Sequence, residues 1–163
     1  MKLKFLPALL LCGVLAIPTT LTVRVKADDA HKIDKPKIYD AAIGTKQIEE
    51  AVARAHKENK RVFLQFGAEW CVWCHRMHDL FESDKGIAET LKRDYVVLLI
   101  ESDHNPEIDN HYGKPTRLGL PVIVILDADG KQLTTKNTSE LEEGDHHSPV
   151  KVMAFLKEWA PKR

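Results

Sequence analysis

Apolar and polar positions recur along the chain with two different periods, and the changes between them mark out the elements. From Thr45 to about Asn59 the apolar residues Ile48, Val52 and Ala55 fall at spacings of four and three among Glu, Lys and Arg, which predicts an amphipathic helix. Arg61 to Phe66 holds Val62, Phe63, Leu64 and Phe66 and is ended by Gly67, the pattern of a buried strand. Helical spacing returns from Cys71 to about Ser83 through Val72, Met77, Leu80 and Phe81, and again from Asp84 to Arg93 through Ile87 and Leu91. Tyr95 to Ile100 is apolar almost throughout, as in a strand covered on both faces at a central parallel position. Residues 102–119 are polar, with a helical turn expected between Asn105-Pro106 and Gly113. Pro121 to Leu126 is another apolar strand, and Asp127-Ala128-Asp129-Gly130 is a hairpin turn into Lys131 to Thr135. Residues 137–147 show no period and read as a solvated loop, His146-His147 included. Ser148-Pro149 opens a last helix with Val152, Phe155, Leu156 and Trp159 on one face. Strand-helix-strand succeeded by an antiparallel pair implies an α/β domain with a mixed sheet of about four to five strands and helices on both faces.

Composition changes this picture at one end only. The 163 residues are 44% hydrophobic and 29% charged, enough for one globular domain and unlike collagen, coiled coil or a disordered chain. Lys and Arg total 24 and so do Asp and Glu, which leaves no net field to draw nucleic acid or an anionic surface. Residues 1–27 depart from that balance: Lys2, Lys4, Arg24 and Lys26 stand there without an acidic residue, around an apolar run from Phe5 to Ile17 broken at Pro7. The expectation is a cleavable signal peptide over 1–27, with processing after Ala27, and export of the remaining chain. The run is short for a membrane span, so the membrane enters as a partner only if the segment is kept as an anchor. Leu11-Cys12-Gly13 fits a lipid-attachment signal poorly, because bulky Leu11 precedes the cysteine. Residues 28–44 read as a flexible lead-in and 45–163 as the domain, expected to be monomeric. Without its leader the chain has 20 basic against 24 acidic residues, a net charge of −4 with His neutral. The expected destination is the periplasm if the source is a two-membrane bacterium, and otherwise the exterior or a secretory compartment.

The same division resolves the cysteines. Cys12 leaves with the leader, and Cys71 and Cys74 remain, three positions apart in a disulfide-permissive setting. Both lie where a strand gives way to a helix, so Cys71 meets unpaired backbone N–H groups at the positive end of the helix dipole. Thiolate is favoured there, and thiolate is the attacking form. Cys74, one turn deeper, is placed to resolve a mixed disulfide.

Val62-Phe63-Leu64-Gln65-Phe66-Gly67-Ala68-Glu69-Trp70-Cys71-Val72-Trp73-Cys74 resembles the active-site strand and loop of thioredoxin-fold proteins. Asn105-Pro106-Glu107, Tyr112-Gly113, Gly119-Leu120-Pro121 and Asp129-Gly130-Lys131 resemble the second half of that fold, and the likeness spans about residues 45 to 160. Trp70-Cys71 and His75 are most similar to the small exported thioredoxin-like branch. The resemblance implies a thioredoxin fold and a thiol-disulfide oxidoreductase whose redox centre is Cys71 and Cys74, with no further cofactor and no metal. It also implies that Pro121 is a cis-proline opposite the cysteines and that the Leu120 backbone pairs with an extended substrate. Trp70 is expected to flank the thiolate and Trp73 to present an apolar surface to partners. Partners would be protein thiols and disulfides together with a redox donor or acceptor.

Three departures bear on mechanism. Gln65 stands where many thioredoxins carry a buried Asp, and an amide cannot titrate. Glu69, His75 or water would then have to serve the proton of the resolving cysteine. The intervening Val72-Trp73 lacks the His of strongly oxidising relatives, which favours a reductase or electron carrier. The segment from Gly113 to Pro121 is a few residues longer than in small thioredoxins, which bears on the substrate groove. Two other readings use the same residues. Cys71, Cys74, His75 and His78 offer thiolate and imidazole ligands to a metal in a binding module without turnover, which could equally hold a client protein. Cys71 to His75 also has the spacing of c-type haem attachment.

Overall fold

The computed structural model describes residues 37–162; the expected signal segment, Cys12 and the first part of the lead-in lie outside them. In chain order come α1 (Thr45–Glu58), β1 (Arg61–Gly67), α2 (Val72–Ser83), α3 (Lys85–Asp94), β2 (Tyr95–Glu101), α4 (Pro106–His111), β3 (Val122–Leu126), β4 (Gln132–Asn137), β5 (Glu142–Glu143), β6 (His146–His147) and α5 (Pro149–Trp159). Strands β1 to β4 make one sheet in the order β2-β1-β3-β4, with β1 and β2 parallel and the other pairs antiparallel. This is the thioredoxin fold, with the mixed four-stranded sheet that the sequence implies.

Period-two alternation on the two central strands splits the core. Val62, Leu64 and Phe66 of β1 and Val122, Val124 and Leu126 of β3 face α1 and pack on Ile48, Ala51 and Ala55. Phe63, Ile123 and Ile125 point the other way, into Met77, Phe81, Ile87, Leu91, Phe155 and Leu156 of α2, α3 and α5. Phe63 lies edge-on to Phe81 and to Tyr95, with ring centroids 5.8 Å apart in each case. Such pairs contribute about 0.5–1.5 kcal/mol each beyond the area they bury. Asp84 separates α2 from α3: its backbone N–H ends one helix on the Leu80 carbonyl, and its carboxylate accepts the Ile87 N–H that opens the next.

Two expectations change. Strand β2 lies at the edge of the sheet, not at its centre, and its middle residues Val97, Leu98 and Leu99 are only half-buried. Its apolar run reflects the helices over both faces, while its free edge is met at one point by Asp40, which bridges Ile100. The domain also begins before residue 45: Tyr39, within the expected lead-in, is 3% exposed. No helix among the described residues is long and apolar enough to cross a membrane.

The register brings one end of every strand together. The carboxyl ends of β1 and β2 meet as Gly67 opposite Glu101, the start of β3 lies beside them as Phe66 opposite Val122, and the end of β4 comes next as Val122 opposite Asn137. The cysteines sit at that end.

Candidate active site

Strand β1 runs out at Gly67, and a tight turn in which the Cys71 N–H reaches the Ala68 carbonyl at 3.0 Å delivers the chain to α2. Cys71 is the N-cap of α2, and its Sγ accepts the backbone N–H of Cys74 at 3.2 Å. Cys71 and Cys74 are joined in a disulfide. Cys71 is 6% exposed and Cys74 0%, so only the first sulfur is approachable from solvent. These are the conditions for a split of roles: an outer sulfur that a helix N-terminus stabilises as thiolate, and an inner one shielded until the outer is engaged.

Trp70, Cys71, Val72 and Trp73 line an open groove of about 510 Å³ with Ser102, Asp103, Thr116, Gly119 and Leu120. The Leu120–Pro121 bond is cis, as the resemblance implies. The buried Thr138 hydroxyl donates to the Pro121 carbonyl oxygen, which ties the start of β3 to the end of β4. Trp70 and Val72 are 68% and 62% exposed and form the apolar rim, whereas the sequence points to Trp73 for the partner-facing surface. The Trp70 indole N–H donates to the Asp103 carboxylate at 2.7 Å, which fixes that rim to the turn after β2.

Trp73 is half-buried because the expected solvated loop over 137–147 turns back onto it. Thr138, Leu141 and His147 are buried, β5 and β6 form a two-residue ladder, and the His147 ring stands edge-on to Trp73 with centroids 5.2 Å apart. The His147 Nε2–H donates to the Trp73 carbonyl at 3.2 Å, and the Arg76 guanidinium covers the indole at 4.7 Å. His147 Nδ1 is buried with no hydrogen-bond partner among the described residues. That burial pushes the imidazole below its ordinary value, which the Trp73 carbonyl only partly offsets. An unfolded chain takes up a proton at this position below about pH 6.5 while the folded chain resists it. Stability from this group is therefore full above that value and is lost as pH falls towards the lower folded-state value. Urea unfolding is expected to show the native chain losing more stability than His147→Gln between about pH 7 and 5.5, since Gln keeps an N–H donor but does not titrate. Parallel losses in the two chains would remove His147 from this account.

Beneath the disulfide, Tyr39 packs with Ala68, Cys71 and Cys74. Its backbone N–H donates to Glu69 Oε1 at 2.6 Å, and its hydroxyl oxygen accepts from Gln65 Nε2, also at 2.6 Å. Gln65 is fully buried, and its Oε1 has no partner among the described residues. His75 Nε2 lies 2.7 Å from the Glu69 carbonyl oxygen and 3.8 Å from its carboxylate. Glu69 and His75 thus brace the active-site loop and the incoming chain against each other. Tyr39, Asp103, Thr138 and His147 are site residues that the sequence does not single out. Only His147 leaves a signal there, as half of a histidine pair.

The alternative readings fit less well. No group of three or more His, Cys, Asp or Glu side chains among the described residues converges as a metal would need, so His78 is not brought into a ligand set with Cys71, Cys74 and His75. Paired thioethers to a macrocycle would use both sulfurs, and Cys74 is enclosed.

The profile of the family described as Thioredoxin-like matches residues 44–128. Human spermatogenesis-associated protein 20 is 34% identical over 64 residues, which cover 39% of this chain but only 8% of that protein. The disulfide bond reductase DsbH of Chlamydia pneumoniae is 27% identical over 131 residues, 75% of this chain and 78% of its own. Among solved structures, the disulphide isomerase of Xylella fastidiosa Temecula1 superposes with a TM-score of 0.67 at 26% identity, covering 74% of this chain and 95% of that one. The chain belongs to the thioredoxin-like family.

Proposed function

We propose that the protein is an exported thiol-disulfide oxidoreductase that reduces disulfides in protein substrates through Cys71 and Cys74. The observation that carries this reading is the asymmetry of the pair: Cys71 caps α2 with its sulfur on a backbone N–H, and Cys74 lies sealed behind it. In the reduced protein, Cys71 thiolate attacks one sulfur of a substrate disulfide, the substrate S–S bond breaks, and the departing substrate sulfur takes the electron pair and then a proton from water. Cys74 thiolate next attacks Cys71 Sγ, forming the intramolecular disulfide and releasing the second substrate thiolate. An external dithiol protein returns two electrons to restart the cycle.

The groove beside Leu120, with Trp70, Val72 and Trp73 on its walls, is where an extended substrate segment would lie. No cationic side chain stands between the cysteines to favour an oxidant, and a relative matched over most of its length is named a disulfide bond reductase. The basic, apolar leader over 1–27 supports export. Chain lacking the leader, supplied with dithiothreitol, is expected to accelerate insulin reduction, and its Cys71/Cys74 potential is expected to lie nearer that of thioredoxin, about −270 mV, than that of a strong oxidant, about −120 mV. No acceleration, or a potential at the oxidising end, would overturn the reductase reading.

A further inference from the structure

We propose that Tyr39 donates its phenolic hydrogen to Cys74 Sγ once the disulfide opens, holding the resolving cysteine as thiolate in place of the titrating side chain that Gln65 cannot be. The proposal rests on the division of roles between Cys71 and Cys74 in the reductase reading, and three placements carry it. Tyr39 is 3% exposed and belongs to the same buried cluster as both cysteines. Its hydroxyl and Cys74 Sγ crowd one point: a β-carbon on Gly67 would lie 2.9 Å from that sulfur and well inside contact distance of the Tyr39 oxygen. Gln65 Nε2–H already donates to the Tyr39 oxygen, which leaves the phenolic hydrogen to point elsewhere and polarises it as a donor.

The charges around the site favour such a donor. Glu69, on the loop before α2, and Glu101, at the end of β2, both act on the Tyr39 hydroxyl. Negative charge there also opposes a thiolate on Cys74. The facing imidazoles are committed to those carboxylates or to backbone, His75 to Glu69 and His104 to Glu101 at 2.6 Å. The Cys74 N–H serves Cys71 Sγ. Burial pushes the Tyr39 phenol far above its ordinary value, so it keeps its proton and can meet a thiolate only as a donor. When Cys74 ionises, its proton goes to water; the thiolate, held by the Tyr39 O–H, then attacks Cys71 Sγ as the substrate sulfur departs with the electron pair. The backbone around Tyr39 is held as well, its own N–H by Glu69 and the next residue, Asp40, by its bridge to Ile100, so the ring is aimed from a fixed base.

The decisive measurement tracks the Cβ chemical shift of isotopically labelled Cys74 against pH in a Cys71→Ser chain, where no turnover is needed. Tyr39→Phe is expected to raise the Cys74 titration midpoint by about one unit, a tenfold loss of thiolate at neutral pH. Because a more basic thiolate is also a better nucleophile, resolution of a trapped mixed disulfide is expected to slow only about threefold, with the first attack by Cys71 unchanged. Replacing Tyr39 by 3,5-difluorotyrosine, a stronger donor of nearly the same shape, is expected to lower the midpoint, a reversal that loss of packing would not produce. That variant decides the matter alone if the Phe chain fails to fold. An unchanged midpoint in a folded variant would overturn the proposal, and would show that the phenolic hydrogen is spent on the Gln65 amide. A shifted midpoint without insulin reduction in the intact pair would instead overturn the reductase reading and leave the hydrogen bond standing.

Discussion

A Cys71→Ser chain is expected to lose insulin reduction to the uncatalysed background, whereas Cys74→Ser is expected to stop after one step and accumulate as a covalent complex with its substrate. The difference comes from position. Cys71 is the residue whose sulfur caps α2, takes a backbone N–H and borders the groove. A hydroxyl there stays protonated at any physiological pH, so no attacking species forms. Cys74 is enclosed and cannot meet a substrate disulfide, so without Cys71 it offers no substitute. Without Cys74 the first attack proceeds normally, but nothing within reach displaces the bound substrate. Non-reducing electrophoresis and intact mass should show an adduct for Cys74→Ser, none for Cys71→Ser, and its collapse on adding dithiothreitol. Equal adducts from both variants would mean that the two sulfurs are interchangeable, and the assignment of roles would fall.

Much of this site is legible in the sequence because it is made of local patterns. The β1 and β3 runs are long enough to show continuous burial, and the cysteines come directly after β1, so the strand-to-helix junction can be read from the chain alone. Ile87 and Leu91 likewise announce α3 by their helical spacing. The features that escape have no period to detect. Tyr39 is one aromatic residue in a polar stretch, and its burial depends on a gap that exists only because Gly67 has no side chain. The loop over 137–147 holds two strands of two residues and a single helical turn, all too short for a pattern, and His147 is buried by its contact with Trp73, 74 residues away in sequence. Burial of β2 at a sheet edge misleads for a related reason: an apolar run reports that both faces are covered, and says nothing about lateral neighbours.

Gly67→Ala is the single methyl expected to disturb this protein most. Gly67 has no positive φ, so the backbone would accept alanine; the obstacle is space. The new carbon would fall against the Tyr39 hydroxyl and ring and 2.9 Å from Cys74 Sγ, with the sulfur bonded to Cys71, the Tyr39 hydroxyl held by Gln65 and its backbone N–H held by Glu69. Neither neighbour is the free end of a flexible side chain. The sheet cannot retreat either, because Gly67 is paired with Glu101 on β2. The least costly escape is expulsion of Tyr39, which forfeits burial of an aromatic ring and its hydrogen bond, about 3 kcal/mol in all. Urea unfolding should register that loss. In a Tyr39→Ala background the same substitution should cost less than about 1 kcal/mol, since the pair is then already broken. The coupling identifies the cause: if Gly67→Ala were equally harmful with and without Tyr39, the clash would lie with the disulfide alone, and if it were harmless in the native chain, Tyr39 could not be packed against Cys74. Reduction should relieve part of the cost, because an unbonded Cys74 sulfur can turn away from the new methyl. The variant is therefore expected to be a stronger oxidant than the native protein, a shift that equilibrium with glutathione would measure.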